Sequence, residues 1–592
     1  MQGIDARLGQ LRAVMKDKGI DAWVVNGTDP HLSEYVAPRW RTRAWVSGFT
    51  GSAGTVVVTA TRALLWADSR YFLQAEQQLA GTSFELQKMD TPQVVDYITW
   101  LAQNLPAKSH IGLDRATLTV SAWRSLQKSL SAKRLDLVPT TDALDEIWLD
   151  RPEAPSLPVV AMADRIAGET RNEKIDRIRQ SCQKAGCTHT IVSSLDDIAW
   201  ILNLRGQDVQ YNPVFLSYLL IGPTTAWLFT QETRFDKPLL QELQQSVRIL
   251  PYDQVYTQLG LLLQPTDTLY LSPDKTNMGI IESLPKGINR KEGRDFSTDL
   301  KAAKSEIELE GMRRAHLLDG VAMVKLLYNM ETSGATYTEI SLAEELHALR
   351  GEHPEYLGPS FGPIAGYRGH GALAHYSATE ESNSTLTGDG LVVLDTGGQY
   401  LTGMTDITRT LLIGEATEEM QRDYTLVLKG NLALAAQRFP KGTCGYHLDV
   451  LARQFLWQFG LSYSHGTGHG VGFHLNVHEG PQNISPRAVM VPLVAGMVLS
   501  DEPGLYKEGR YGIRIENLVA VRPEGQTEFG EFLSFEVLTL CPFERRLILK
   551  SLLSEQEVRM IDSYHGWVDS ELAPLLGQEE RKWLEGKTVP LS

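Results

Sequence analysis

The stretch Leu391-Val-Val-Leu-Asp395-Thr-Gly-Gly-Gln-Tyr400-Leu-Thr-Gly-Met-Thr-Asp406-Ile-Thr-Arg-Thr410 decides how this chain is read. Its first four residues are apolar and β-forming, and the run ends on an acid. Gly397 and Gly398 permit a reversal, and a second strand carries Asp406 ahead of another apolar run. A hairpin centred near Tyr400 and Leu401 sets Asp395 and Asp406 roughly opposite each other, about 5 Å apart at Cβ. Like charges held that close are destabilising unless a cation lies between them, so this hairpin already points to metal.

The layout recurs downstream. Met497-Val-Leu-Ser leads to Asp501-Glu502, Gly504 and Gly509 mark a reversal, and Tyr511-Gly-Ile-Arg-Ile-Glu516 returns. Centring the turn near Gly509 sets Glu502 against Glu516. Ile513 and Ile515 share one strand face, which leaves Arg514 and Glu516 on the other. One acid at a strand end is usually solvated or capping. Two hairpins, each offering paired acids at the ends of apolar strands, point instead to an internally duplicated site.

Between the hairpins lies His465-Gly-Thr-Gly-His469-Gly-Val-Gly-Phe-His474, followed by Asn476-Val-His478-Glu-Gly-Pro. Five of the chain's 14 histidines fall between residues 447 and 478, which argues against scattered structural histidines. Gly466, Gly468, Gly470 and Gly472 exclude a stable helix and allow close approach of backbone to a metal or substrate. A nucleotide-binding loop would need a following helix and a Lys-Ser/Thr pair, and neither is present.

Four carboxylates and one imidazole make an oxygen-rich donor set suited to hard or borderline divalent ions. Mn2+ fits best, Co2+, Fe2+ or Zn2+ could substitute, and no thiolate joins in. Bridging carboxylates hold two ions about 3.5–4 Å apart, close enough to share one water. That water becomes hydroxide near neutral pH and can attack a carbonyl, while nearby histidines steady the oxyanion or move a proton.

Working outward, 592 residues exceed what one core usually organises, so several domains are expected. A net charge of -15 disfavours nucleic acid and anionic membranes as partners. Cys182, Cys187, Cys444 and Cys541 form no CxxC pair, so neither a disulfide framework nor a zinc ribbon is indicated. Met1 to Gly19 reads as an amphipathic helix without a signal-peptide core. No stretch approaches the ~20 apolar residues of a membrane span. The cytoplasm is the expected address.

The runs Asp21-Ala-Trp-Val-Val, Thr55-Val-Val-Val-Thr and Ala63-Leu-Leu-Trp read as strands, and Ser69 to Leu79 as an amphipathic helix. A stretch of the same grammar at 188–235 contains Thr190-Ile-Val, Ser217-Tyr-Leu-Leu-Ile and Ala226-Trp-Leu-Phe, a diverged copy of one α/β domain. The connector Arg151-Pro-Glu-Ala-Pro-Ser-Leu-Pro158 lies between the two. Ser305-x-x-Glu308 and Thr336-x-x-Glu339 are capping-box patterns that open two helices. The expected organisation is 1–155 and 156–300 as α/β domains, 301–541 as the catalytic domain, and 542–592 as a helical extension without catalytic part.

Taken together, Val393-Leu-Asp395-Thr-Gly, Thr405-Asp406-Ile-Thr-Arg-Thr410, His465-Gly-Thr-Gly-His469-Gly, Asp501-Glu502-Pro-Gly and Gly512-Ile-Arg-Ile-Glu516-Asn resemble the pita-bread metallopeptidases. Ala374-His375-Tyr and Asn476-Val-His478-Glu-Gly-Pro narrow the likeness to the aminopeptidase P family. Ser33-Glu-Tyr-Val-Ala-Pro and Val46-Ser-Gly-Phe-Thr-Gly-Ser-Ala-Gly-Thr extend it to that family's long, cytosolic three-domain type.

The resemblance implies an α/β (α+β) architecture of two creatinase-like N-terminal domains followed by a pita-bread domain. It implies metal ligands Asp395, Asp406, His469, Glu502 and Glu516, with Asp406 and Glu516 bridging and Glu502 also moving a proton. It implies His375, His465 and His478 around the substrate, Arg70 as a substrate contact from the first domain, and a homodimer. The implied substrates are peptides with proline at the second position. Gly366-Tyr-Arg-Gly-His370-Gly departs from the family pattern, and His370 is expected to be a solvated loop residue. Two alternatives remain: a prolidase, which shares the metal set but cuts only dipeptides, and a metal-free interaction scaffold, which the full ligand set disfavours.

Overall fold

Short β-branched and aromatic runs build two six-stranded sheets with one connectivity. The protein is described by a computed structural model over residues 3–68, 71–89, 91 and 94–591. It divides into one unit of Met1–Met162 with Glu169–Ser297 and another of Ala163–Gly168 with Thr298–Ser592.

In the first unit, β1 (Ala22–Val25), β2 (Thr55–Thr59), β3 (Ala63–Ala67), β4 (Phe84–Lys88), β5 (His110–Asp114) and β6 (Asp136–Thr140) are ordered β4-β3-β2-β1-β5-β6. The second sheet holds β7 (His189–Val192), β8 (Tyr218–Ile221), β9 (Ala226–Phe229), β10 (Arg248–Leu250), β11 (Thr268–Leu271) and β12 (Asn289–Glu292), ordered β10-β9-β8-β7-β11-β12. Strand for strand, the parallel and antiparallel pairings of the two sheets coincide. The helix Ile4–Asp17 buries Leu8, Leu11 and Met15 against the first sheet. The helix expected over Ser69 to Leu79 spans Phe72–Leu79, with Tyr71 at its N-cap. Arg70, the anticipated substrate contact, lies outside the described residues.

In the second unit, Ser305 and Glu308 close a reciprocal capping box on the helix Glu306–Thr332, as their spacing requires. The next helix, Glu339–Gly351, corrects the sequence reading. Its cap is Thr338, paired with Ser341, and Glu339 is turned inward and fully buried. The Thr336 pattern failed because Glu339 finds stronger donors in the interior than a helix end offers.

Three antiparallel strands, β13 (Ile364–Tyr367), β14 (Gly390–Thr396) and β15 (Ile407–Ile413), form one sheet of the site. A second layer comprises β16 (Val498–Asp501), β17 (Gly504–Lys507), β18 (Tyr511–Arg514), β19 (Asn517–Thr527) and β20 (Gly530–Val537). The C-terminal helices Glu555–Leu572 and Gln578–Thr588 bury Val568, Leu572 and Leu584 against Val324 and Leu540. Among the described residues, no helix is long and apolar enough to cross a membrane.

Candidate metal centre

The first hairpin turns slightly later than its glycines suggest. Tyr400 pairs with Gly403, which puts Leu401 and Thr402 at the reversal. Asp395 therefore faces Thr408 rather than Asp406. The offset is two residues, and side chains alternate with period two, so Asp406 stays on the same face as a diagonal neighbour of Asp395.

In the second layer the expected register holds. Asp501 pairs with Asn517 and Gly504 with Arg514, so Glu502 and Glu516 stand level. Ile513 and Ile515 go into the core, while Arg514 and Glu516 face the first hairpin.

His469 enters from a two-residue strand, Gly468–His469, paired with Asn483–Ile484. Its glycines serve close packing of protein backbone. A Cβ on Gly468 would lie 1.9 Å from the Ser500 carbonyl oxygen, and one on Gly470 would lie 2.0 Å from that of Glu479. The His469 amide donates to Ser500 Oγ at 2.9 Å and its Nδ1 sits 2.9 Å from the Gly470 carbonyl. That contact leaves Nε2 aimed at Asp406, 3.5 Å away, and Glu502, 3.6 Å away. Ligand atoms of Asp406, His469 and Glu516 all lie within 4.8 Å of one another.

So many acids in a buried place resist ionisation. Burial raises the Glu516 carboxyl well above its ordinary range, and the charges of Asp406, Glu502 and Asp395 add to it. Burial likewise raises Glu502 and Asp395, with His469 and Arg514 partly offsetting the first and Arg514 the second. Burial opposes charging His469, but the hydrogen bond to Asp406 and the charge of Glu502 prevail and hold its pKa near about 9. Asp395 Oδ1 is buried without a hydrogen-bond partner. Converging carboxylates, an imidazole Nε2 and an unpartnered buried oxygen are the donor set of a hard or borderline divalent cation. The residues fit a metal.

His478 and His465 lie beside this centre. The His478 ring stands edge-on to His469 with centroids 4.3 Å apart. His465 contacts the Gly466 carbonyl through Nδ1 at 2.6 Å and the Tyr506 hydroxyl through Nε2 at 2.8 Å. Burial, with Arg514 and His375 nearby, lowers its pKa to about 3, so it is neutral. His375 is exposed, and its neighbour Ala374 accepts from Arg514 Nη1 at 3.4 Å.

His370 is not the solvated loop residue expected. Its Nδ1 lies 2.9 Å from Glu339 Oε1 and its ring stacks on Tyr376, because the buried Glu339 carboxylate demands donors. Three contributors went unrecognised in sequence. Arg514 bridges Asp395 and Tyr506, Tyr506 bridges Arg514 and His465, and Thr408 donates to Glu516 at 2.8 Å. Strand parity could have found Tyr506, since it shares the face of Gly504 and Glu502.

The fold and site define a metallopeptidase class. Residues 310–523 match metallopeptidase family M24, and 531–591 match the C-terminal region of peptidase M24. Residues 7–147 and 150–308 each match the creatinase/prolidase N-terminal domain. The chain is 38% identical to a probable Xaa-Pro aminopeptidase P of Aspergillus fumigatus, over 99% of this chain and 92% of that one. A probable Xaa-Pro aminopeptidase P of Laccaria bicolor is also 38% identical, over 99% and 93% of the respective lengths.

Among solved structures, X-prolyl aminopeptidase from Caenorhabditis elegans, described as a cytosolic enzyme with a di-nuclear active site, superposes with a TM-score of 0.94. It is 35% identical, with 100% of both chains covered. The prolidase of Pyrococcus horikoshii, 24% identical with a TM-score of 0.51, shares the fold over 64% of this chain and 100% of its own. The chain belongs to the Xaa-Pro aminopeptidase P family, whose members are metal-dependent exopeptidases.

Proposed function

We propose that the protein hydrolyses the peptide bond between an N-terminal residue and a following proline. The observation that carries this is the convergence of Asp395, Asp406, His469, Glu502 and Glu516 from two hairpins and the segment between them. Asp395, Asp406, His469, Glu502 and Glu516 would together hold two divalent ions. Mn2+ is the ion that best suits such oxygen donors. When bound, the ions supply a strongly acidified shared water at neutral pH.

The chain's own residues do the rest. Glu502, held by Ser500 Oγ at 3.1 Å, takes and returns the proton. His375 and His478 hold the peptide and steady the developing oxyanion; Arg70, outside the described residues, is carried over from the family resemblance as a further substrate contact. His465, with both ring nitrogens engaged, keeps Tyr506 and Arg514 in place. A bond to proline lacks an N–H and has a fixed φ, so the site must do without that donor and accept the ring.

The same reading includes a cytoplasmic address, supported by the description of the nematode relative as cytosolic, a division at residues 155, 300 and 541, supported by the family-model matches, and a homodimer, which rests on the family resemblance alone. Cleavage of short Xaa-Pro-Yaa peptides but not Xaa-Ala-Yaa, lost on chelation and restored by Mn2+, is the expected result. Turnover of the dipeptide Gly-Pro in preference to longer peptides would instead identify a prolidase.

A further inference from the structure

Glu339 is fully buried at the first turn of its helix, and its carboxylate draws all its side-chain partners from one stretch of chain. Oε1 accepts from the Tyr367 amide at 2.7 Å and from His370 Nδ1 at 2.9 Å. Oε2 accepts from the Tyr376 hydroxyl and the Ser384 amide, each at 2.9 Å. The Glu339 amide returns a bond to the Ser384 carbonyl at 3.0 Å. The rings of His370 and Tyr376 stack with centroids 4.5 Å apart and planes 22° from parallel.

Burying a carboxylate is costly unless donors satisfy it, and donors to a charged acceptor bind it strongly. Four donors between residues 367 and 384 therefore pin both ends of a loop to one oxygen pair. His375 lies inside that loop. It is exposed, while Tyr376 beside it is buried on Glu339 and Ala374 on its other side is tied to Arg514. Arg514 is itself the partner of Asp395. The histidine is thus suspended between the metal layer and Glu339.

We propose that Glu339, acting through Tyr376 and His370, is a positioning residue that aims His375 at the peptide. This rests on the peptidase reading of the site. Glu339 touches none of the converging acids, so it tunes substrate placement without contributing to the metal shell.

The test is a double-mutant comparison on a short Xaa-Pro-Yaa peptide, with metal content and Tm measured in parallel. Tyr376→Phe removes one donor and little volume. It is expected to lower kcat/KM about tenfold, the order for losing one hydrogen bond to a charged group, with the metal content and the active fraction unchanged. In a His375→Ala background the same substitution should have almost no further effect, because the group it positions is gone. Glu339→Gln, which keeps shape but loses acceptor capacity, should behave alike and more strongly; should it fail to fold, Tyr376→Phe alone decides.

Losses that multiply in the His375→Ala background, or that fall on kcat through a smaller active fraction, would overturn the positioning role. A wild-type protein inactive on Xaa-Pro peptides would instead refute the underlying peptidase reading.

Discussion

Arg514 donates to Asp395 at 2.5 Å through one terminal nitrogen and to the Tyr506 hydroxyl at 2.6 Å through the other. Its Nε reaches Thr408 Oγ1 at 3.3 Å, and Thr408 holds Glu516. One planar fork thus fixes an acid of the first hairpin, a hydroxyl that holds His465, and the threonine beneath the second hairpin's acid. Arg514→Lys keeps the charge and loses the fork. We expect kcat/KM to fall by about 30- to 100-fold, the order for losing charge-assisted hydrogen bonds, with loosened metal binding. Steady-state kinetics with metal analysis checks this.

Gly468 has a narrower task. A methyl there would meet the Ser500 carbonyl at 1.9 Å, a backbone atom that cannot rotate away, and the next residue is His469. Gly468→Ala should destabilise the protein by about 1–3 kcal/mol through overpacking and displace the imidazole. Differential scanning calorimetry and metal titration together would show whether both losses occur.

Glu479, next to His478, is buried between Lys301 and Lys304, with Lys301 at 3.1 Å. Removing Glu479 takes a buried counter-charge from both lysines. Glu479→Ala should cost about 3–5 kcal/mol, read from the denaturant midpoint. Glu479→Gln should cost less, because it still offers an acceptor to one lysine.

The C-terminal extension carries its own acid sensitivity. His565 is fully buried and its Nε2 accepts the Phe543 amide at 3.1 Å, a contact that requires the neutral ring. Burial first, then the charges of Arg545 and Arg409, lowers its pKa from 6.5 to about 4. With the folded pKa below the unfolded one, the unfolded state binds more protons between those values. Stability from this residue is full above pH 6.5 and is lost as pH falls towards about 4. The loss is on the order of 3 kcal/mol. His565→Gln should flatten that part of the acid limb in urea melts; an unchanged difference from wild type across the window would count against it.

Much of this was legible in the chain because period-two alternation survives small errors of register. The first hairpin turns one residue later than its sequence suggests, which shifts the pairing by two, yet Asp395 and Asp406 still share a face. For Glu502 and Glu516 the glycine at the reversal was decisive, and their level placement follows from it. What failed to show were groups whose role is set by distant partners. Thr336 and Thr338 offer the same capping chemistry two residues apart, and only the pull of His370 and Tyr376 on Glu339 selects between them. Tyr506 and Arg514 looked like ordinary strand residues until β17, β18 and β14 were brought together.

The most direct test measures bound divalent metal and Xaa-Pro cleavage side by side in the wild type and in Asp406→Ala and Glu516→Ala. We expect a pair of ions per chain and efficient release of the N-terminal residue from the wild type, with both lost in each variant while the protein stays folded by circular dichroism. Peptide cleavage that persists in either variant, or in fully metal-free protein, would contradict the account.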